Sequence, residues 1–330
     1  MRSPGFLNAL QQQLESLPLE VLERVNKKGG LEISDLLNLI VKPVDYTVDR
    51  PYIVAEDLIT KNSDISVDAF WRGRDSLLNG QTAHCIHATT ESFEFMPGTQ
   101  MTLLESQLVK ISWVRNVWVL TAPSMIDRVK KLTESMSFPK VEVLENYESF
   151  SLTPVNLLHE NGGSPVLREC GSGDLIEIIK HSGLLEKFIS QGGQHIMVCD
   201  GNNLLGCAHP VIVGHHIMKN APVTCEVTKK TQKDTRASIL CEHEGFNQII
   251  ERHRITSMTN MDDFQYIASN TMIFNVDLDF DIKWKWHRVK RIHDNQLTIS
   301  YERSIYDLTS KYQTTFIDTP RYYCYMPISQ

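Results

Sequence analysis

The sequence predicts an α/β protein, a mostly parallel sheet with helices on its faces, preceded by a helical N-terminal segment. Two observations carry this. From about residue 66 onward, short apolar runs of strand length alternate with amphipathic stretches of helical period. Before that point the apolar residues recur at helical spacing only. With 330 residues, 42% of them hydrophobic and 22% charged, the chain can bury a core of the size such a sheet needs.

The N-terminal segment, residues 1–65, opens with Phe6, Leu7, Leu10, Leu14, Leu17, Val21, Leu22 and Val25 at helix-like intervals, with Pro18 dividing two helices. Asn26-Lys27-Lys28-Gly29-Gly30 stops the second, a further amphipathic stretch runs from Leu31 to Val41, and Pro43 and Pro51 bracket an extended crossing. This layer packs on the main domain or offers a helix to a partner. Residues 66–330 form one α/β domain in this reading. Val114–Thr121 is a strand, Ser124–Met136 a helix, and Val141–Leu144 a short strand. Asp174–Ile189 is helical, and His195–Cys199 is a strand ending at Asp200-Gly201-Asn202-Asn203. Val211–Lys219 is a helix and Val223–Val227 a strand. Ligands of such sheets bind beyond the carboxyl ends of the strands, which makes the turn at Asp200 the first candidate site.

A formal charge of −7 and a pI near 6.0 argue against general nucleic-acid binding and against an anionic membrane surface, both of which call for a cationic field. No apolar run approaches the roughly 18 residues of a membrane span. The first residues lack the apolar core of a signal peptide, since Gln11-Gln12-Gln13 and Glu15 interrupt it. Seven cysteines are scattered without a C-x-x-C pair, as reduced thiols of a cytoplasmic protein would be.

Between Gly171 and Arg321 several short segments fall in a shared order. They are Gly171-Ser172-Gly173-Asp174 with Ser182-Gly183-Leu184-Leu185, then Ile196–Leu204, Glu226-Val227-Thr228-Lys229-Lys230-Thr231, Phe274-Asn275, Glu302, and Pro320-Arg321. Together they resemble the eukaryotic-type UDP-glucose and UDP-N-acetylglucosamine pyrophosphorylases, which join UTP to a sugar 1-phosphate and release pyrophosphate. The resemblance implies a Rossmann-like nucleotide-binding sheet of the glycosyltransferase A or nucleotidyltransferase type. It also implies UTP or a UDP-sugar and a sugar 1-phosphate as ligands, with Mg²⁺ as cofactor. Uridylyl transfer asks a protein mainly for positioning and for neutralisation of phosphate charge.

Carried onto this chain, the resemblance assigns phosphate contact to Lys230 and metal binding to Asp200. Its metal-binding aspartate falls on Asn202 in direct alignment, so a neutral amide stands there and Asp200 lies two residues earlier. Asn202, Asn203, Gly173 and Asp174 fall in substrate-binding segments, and Asn275 and Glu302 match sugar-hydroxyl ligands. The nearest counterpart of the family's Gly-rich loop is Leu78-Asn79-Gly80-Gln81-Thr82-Ala83, where Asn79 and Gly80 fit but Gln81 and Ala83 replace glycines. No lysine or arginine occurs between Arg74 and Lys110. The chain thus reads as a divergent member lacking the intact loop: an active uridylyltransferase, a nucleotide-sugar-binding homologue without turnover, or a metal-dependent glycosyltransferase.

Each assignment has a plainer alternative in the residues themselves. Asn79-Gly80 also suits an ordinary turn, Asp200-Gly201 a turn-forming pair, Lys229-Lys230 a solvated pair, and Asn275 and Glu302 buried polar groups bonded to backbone. Asp277, Asp279 and Asp281 alternate, so on a strand they share one face, able to hold a divalent ion or merely to face solvent.

Overall fold

The computed structural model describes residues 4–41, 59–61, 67–96, 98–136, 141–255, 260–281, 284–293 and 296–327. The crossing expected around Pro43 and Pro51 lies outside them. Nine helices matter below: α1 (Pro4–Glu15), α2 (Leu19–Val25), α3 (Ile33–Val41), α4 (Val67–Asn79), α5 (Leu103–Lys110), α6 (Ile126–Ser135), α7 (Asp174–His181), α8 (Leu184–Ser190) and α9 (Pro210–Lys219). Pro18 separates α1 from α2 as the sequence requires. The single helix expected over Asp174–Ile189 is two, because Gly183 takes φ of +71°, a left-handed conformation that ends a helical run and suits glycine.

The chain divides into two compact units. One gathers Met1–Tyr46, Asn146–Ser182 and Ile282–Asp307, and the other Thr47–Glu145, Gly183–Asp281 and Leu308–Gln330. This division differs from a boundary at residue 65, since the N-terminal helices group with two later stretches. In the smaller unit, Arg24 of α2 pairs with Glu148 at 2.7 Å, and a hairpin joins His287–His293 to Gln296–Glu302 in antiparallel register.

The larger unit holds a ten-stranded sheet. Its strands in chain order are β1 (Ile59–Lys61), β2 (Thr82–Ala88), β3 (Asn116–Thr121), β4 (Val141–Glu145), β5 (His195–Asp200), β6 (Val223–Lys229), β7 (Ile239–His243), β8 (Phe246–Ile250), β9 (Tyr266–Asn275) and β10 (Thr314–Asp318). Across the sheet the order is β1-β10-β6-β9-β5-β2-β3-β4, with β7 paired to β9 and β8 to β7. The pairs β1/β10, β10/β6, β5/β2, β2/β3 and β3/β4 are parallel, while β9 runs antiparallel between β6 and β5. Both faces of the central strands are buried, which explains their continuous apolar runs such as Ile196–Cys199 and Val117–Leu120.

One core cluster of this unit includes Leu77, Ile86, Leu104, Leu108, Val119, Met197, Ile212, Val213 and Ile273. Helices α4 and α9 lie in close backbone contact there. A Cβ at Gly73 would stand 1.8 Å from the Pro210 carbonyl oxygen, and one at Gly214 would stand 1.7 Å from that of Ala69. Glycine is the residue type that permits this approach.

Two expectations are corrected by this geometry. Leu78-Asn79-Gly80, the counterpart expected for the Gly-rich loop, is the end of α4 and the turn into β2. Gly80 takes φ of +79° there, and Asn116 donates to its carbonyl at 2.9 Å. Asp277, Asp279 and Asp281 are not a strand face, because β9 ends at Asn275 and the chain turns. Asp279 accepts from the Asp281 backbone N–H at 3.0 Å, and Lys311 lies 3.8 Å from its carboxylate.

Candidate functional site at the carboxyl edge of the sheet

β5 delivers Asp200 to the carboxyl edge directly beside His87 of β2. The carboxylate is held from two sides: the Asn202 backbone N–H donates to Oδ1 at 2.9 Å, and the Asn270 amide donates to Oδ2 at 3.0 Å. Asn270 sits at φ of +64°, a left-handed position that asparagine tolerates better than most side chains, at the point where β9 pairs with the end of β5. Burial pushes the Asp200 carboxyl above its usual range, against the Asn202 bond, the charge of His87 and the Asn270 bond, which favour the carboxylate.

The turn that follows is anchored at its backbone. Gln107 of α5, itself buried, donates its amide to the carbonyls of Asp200 at 3.0 Å and Asn203 at 2.7 Å. Asn203 is fully engaged: its amide donates to the carbonyls of Ser269 (2.9 Å) and Cys324 (2.7 Å), and its oxygen accepts from the Met326 N–H at 2.9 Å. It therefore holds the turn to its neighbours. Asn202 points the other way, accepting from Ser92 Oγ at 2.9 Å and Thr89 Oγ1 at 3.1 Å.

Those two hydroxyls belong to the short 3-10 helix Thr90–Phe93 and its cap, the chain that leaves β2 at the carboxyl edge. Ser92 Oγ also accepts from the Thr89 N–H at 3.0 Å, and Thr89 Oγ1 lies 2.5 Å from Glu91 Oε2. The fit against the Asp200 turn is tight, since a Cβ on Gly201 would fall 2.4 Å from Ser92 Oγ and 2.9 Å from the His87 carbonyl oxygen. The cations nearby are engaged. Lys110 donates to the Leu204 carbonyl at 2.6 Å, the Arg128 guanidinium lies 4.4 Å over the Phe93 ring, and Lys230 stands 3.6 Å from Asp262.

Lys230 does follow β6 to this same edge, two strands from Asp200. The turn behind it is fastened by Asp234, which accepts from Thr231 N (2.7 Å) and Thr231 Oγ1 (2.8 Å) and takes both guanidinium nitrogens of Arg321, at 2.8 and 2.7 Å. Two segments matched by the resemblance thus meet through a residue the sequence had not singled out.

The remaining expected site residues lie elsewhere. Asn79 and Gly80 precede the amino end of β2, roughly 20 Å along the strand from Ala88 at about 3.3 Å per residue. Asn275 ends β9 opposite His195, at the far end of β5 from Asp200. Its Oδ1 is 2.8 Å from both His195 Nδ1 and His216 Nε2, and His216 Nδ1 is 2.8 Å from Thr224 Oγ1. An amide oxygen can only accept, so Asn275 is a part-buried connector between the two imidazoles. Asp277 follows two residues later, so Asp200 and Asp277 are not brought together. Among the described residues no three His, Cys, Asp or Glu side chains converge as metal ligands. A Mg²⁺ site built on that pair does not fit.

Gly173, Asp174 and Glu302 belong to the smaller unit. There Asp174 is buried and accepts from Arg303 Nε at 2.6 Å, while Arg303 also donates to the Gly29 carbonyl at 2.6 Å and stacks 4.3 Å over Trp286. Glu302 takes a forked pair from Arg291 (2.8 Å to each oxygen) and accepts from Ser300 at 2.9 Å. A Cβ on Gly173 would press on Arg303 at 2.9 Å. The glycine-aspartate segment and the Glu302-Arg303 segment therefore meet as a packed ionic cluster.

Sequence reasoning missed Asn270, Gln107, Ser92 and Asp234. Only Asn270 left a signal, the polar run Ser269-Asn270-Thr271 inside an otherwise apolar strand.

The mostly parallel mixed sheet flanked by helices is a nucleotidyltransferase-type α/β fold. The fold is that of UDP-sugar pyrophosphorylases. The UDP-glucose phosphorylase of Trypanosoma brucei superposes with a TM-score of 0.74 over 98% of this chain and 76% of its own, at 13% identity. The UDP-N-acetylglucosamine pyrophosphorylase of Trypanosoma brucei does so at 0.66 over 100% and 82%, at 15% identity. The UTP–glucose-1-phosphate uridylyltransferase family model matches residues 145–305. A probable UTP–glucose-1-phosphate uridylyltransferase of Schizosaccharomyces pombe is 31% identical over 108 residues, 31% of this chain and 21% of that protein. The Encephalitozoon cuniculi UTP–glucose-1-phosphate uridylyltransferase is 26% identical over 155 residues, 46% of this chain and 30% of that protein. The resemblance to this family in sequence therefore lies in residues 145–305. The chain spans between about a fifth and a third of the length of the curated relatives it matches.

Proposed function

We propose that this protein is a UDP-sugar pyrophosphorylase-like protein that recognises a nucleotide sugar at the carboxyl edge of its sheet without turning over UTP at enzyme rates. The observation that carries this is the packing of Thr89 and Ser92 onto Asn202 and of Ser92 onto Gly201, with Glu91 held on Thr89. Transfer from UTP needs backbone donors and cations where the chain leaves β2. This chain puts there two hydroxyls committed to Asn202 and an acidic side chain. The cations that could serve the phosphates, Lys110 and Lys230, already hold partners, although the Asp262 partner of Lys230 is largely exposed and readily exchanged for a phosphate oxygen.

The second reading, an active UTP–sugar-1-phosphate uridylyltransferase, is favoured by Lys230 alone, which stands at the same edge as Asp200. Magnesium would enter with the nucleotide phosphates rather than in a cage of side chains. A cytosolic setting belongs to the proposal and accords with seven free thiols.

Calorimetry with UDP-glucose, UDP-N-acetylglucosamine and UTP, with and without Mg²⁺, separates the readings when paired with pyrophosphate release from UTP and glucose 1-phosphate. Binding of a UDP-sugar with pyrophosphate release near background is the expected result. Turnover within the usual enzyme range of about 1–10³ per second would establish the active enzyme instead. Absence of any nucleotide-sugar binding would sink both.

A further inference from the structure

On the helical face of the larger unit, Phe70, Arg74 and Leu78 stand at i, i+4 and i+8 on α4, so they form one stripe of that helix. With Trp113, just beyond α5, and Pro210, the first residue of α9, they line a groove of about 350 Å³. Its two large aromatic walls are solvent-facing, Phe70 at 37% and Trp113 at 36% exposure, where residues of this type are ordinarily covered. The groove is set by rigid parts, because Gly73 and Gly214 lock α4 against α9 at backbone contact and leave no room for either helix to slide inward.

One charge stands in this apolar lining. Arg74 is 43% exposed, its ion pair with the adjacent Asp75 is long at 3.8 Å and solvent-screened, and its guanidinium lies 5.5 Å over the ring of Trp71. Aromatic and aliphatic walls with a single planar cation at the rim are complementary to a flat apolar body carrying one carboxylate. The volume falls at the small end of ligand sites. A forked N–H···O pair from a guanidinium selects carboxylate geometry, and the Trp71 ring within cation–π range favours the charge at that place.

We propose that the groove between α4, Trp113 and Pro210 is a binding site for a small aromatic carboxylate, with Arg74 as the anion contact and Phe70, Leu78 and Trp113 as the apolar cradle. This site does not rest on the nucleotide-sugar reading. Its residues come from the helical layer, and none takes part in the hydrogen bonds around Asp200.

2-Naphthoate and its neutral analogue 2-naphthylmethanol serve as probes against the full chain, followed by calorimetry and by quenching of tryptophan fluorescence. Saturable one-to-one binding of the acid is expected, weakened about ten-fold in Arg74→Gln, the scale of one lost charge-assisted contact. Arg74→Gln should leave the affinity for the neutral analogue unchanged, and Trp113→Ala should weaken both. Because Arg74 is a surface residue, its substitution keeps the test open if Trp113→Ala does not fold. Non-saturating titration, or equal binding of the acid to wild type and Arg74→Gln, overturns the proposal. So does sedimentation showing a dimer that Trp113→Ala dissolves, which would assign the groove to a second copy of the chain.

Discussion

His84 lies on β2 fully buried, with neither ring nitrogen hydrogen-bonded among the described residues. Burial lowers its pKa from 6.5 to about 3. His216 is lowered to about 3 as well, first by burial and then by the charge of His195, with the bond to Asn275 opposing. In the unfolded chain both take up a proton as pH falls below about 6.5, whereas in the folded chain neither does until about pH 3. The unfolded state therefore binds more protons in this window, and stability falls with pH, by up to ~1.4 kcal/mol per pH unit for each group. Asp200 and Glu226 act in the opposite sense, because burial raises their carboxyl pKa values and their folded forms hold protons longer. His84→Leu removes two unpartnered buried nitrogens and one titrating group. It should raise stability at pH 7 by about 1–2 kcal/mol, the cost of an unsatisfied buried polar group, and flatten the acid limb between about pH 6 and 4. Urea unfolding followed by tryptophan fluorescence at pH 7, 6, 5 and 4 measures both; an acid limb as steep as that of wild type would remove His84 from the explanation.

Among the elements, α4 and α9 carry the most demanding contact, and it is invisible in composition. A methyl at Gly73 meets the Pro210 carbonyl at 1.8 Å, and backbone cannot rotate away as a flexible side chain would. Gly73→Ala should cost about 3 kcal/mol despite the better helix propensity of alanine, which by itself would favour the variant by about 1 kcal/mol. Thermal unfolding of Gly73→Ala beside the control Arg72→Ala reads the difference, and equal melting temperatures would mean that the helices can part without cost. The same contrast explains what could be read from the residues alone. Strands β3, β5 and β6 and helix α9 were legible because both faces of a parallel strand, or one stripe of a helix, must be apolar. The turn at Asp200 was legible because a carboxylate at a strand end in such a sheet is informative. Asn79-Gly80 was misread because Leu-Asn-Gly serves a helix end as well as a phosphate loop, and only the order helix-turn-strand tells them apart. The hydrogen bonds of Asn275 to two histidines distant in sequence leave no local mark. The grouping of α1–α3 with residues 146–182 depends on contacts such as Arg24 with Glu148, separated by 124 positions, which no local pattern encodes.

At the scale of the whole molecule the charge balance works against a triphosphate. The chain carries −7, and the segment leaving β2 adds Glu91 where a nucleotide's phosphates would approach. Replacing that one residue changes the local field by two charges without touching a core position, since Glu91 is exposed. Glu91→Lys also releases Thr89 Oγ1 from the 2.5 Å contact with the carboxylate. UTP affinity should rise about ten-fold, within the range of one charge-assisted phosphate contact, and the gain should shrink as salt is raised from 50 to 500 mM. Restoring glycines at Gln81 and Ala83, the change that the sequence alone would suggest, should add nothing, because both positions stand at the amino end of β2, about 20 Å from Ala88. Ala83→Gly, in a fully buried strand position, should only cost about 1 kcal/mol of stability. Calorimetry of UTP with wild type, Glu91→Lys, Gln81→Gly/Ala83→Gly and the triple variant reads the whole comparison. A larger gain from the glycines than from the lysine would place the nucleotide at the opposite end of the sheet and displace the carboxyl edge as the candidate site.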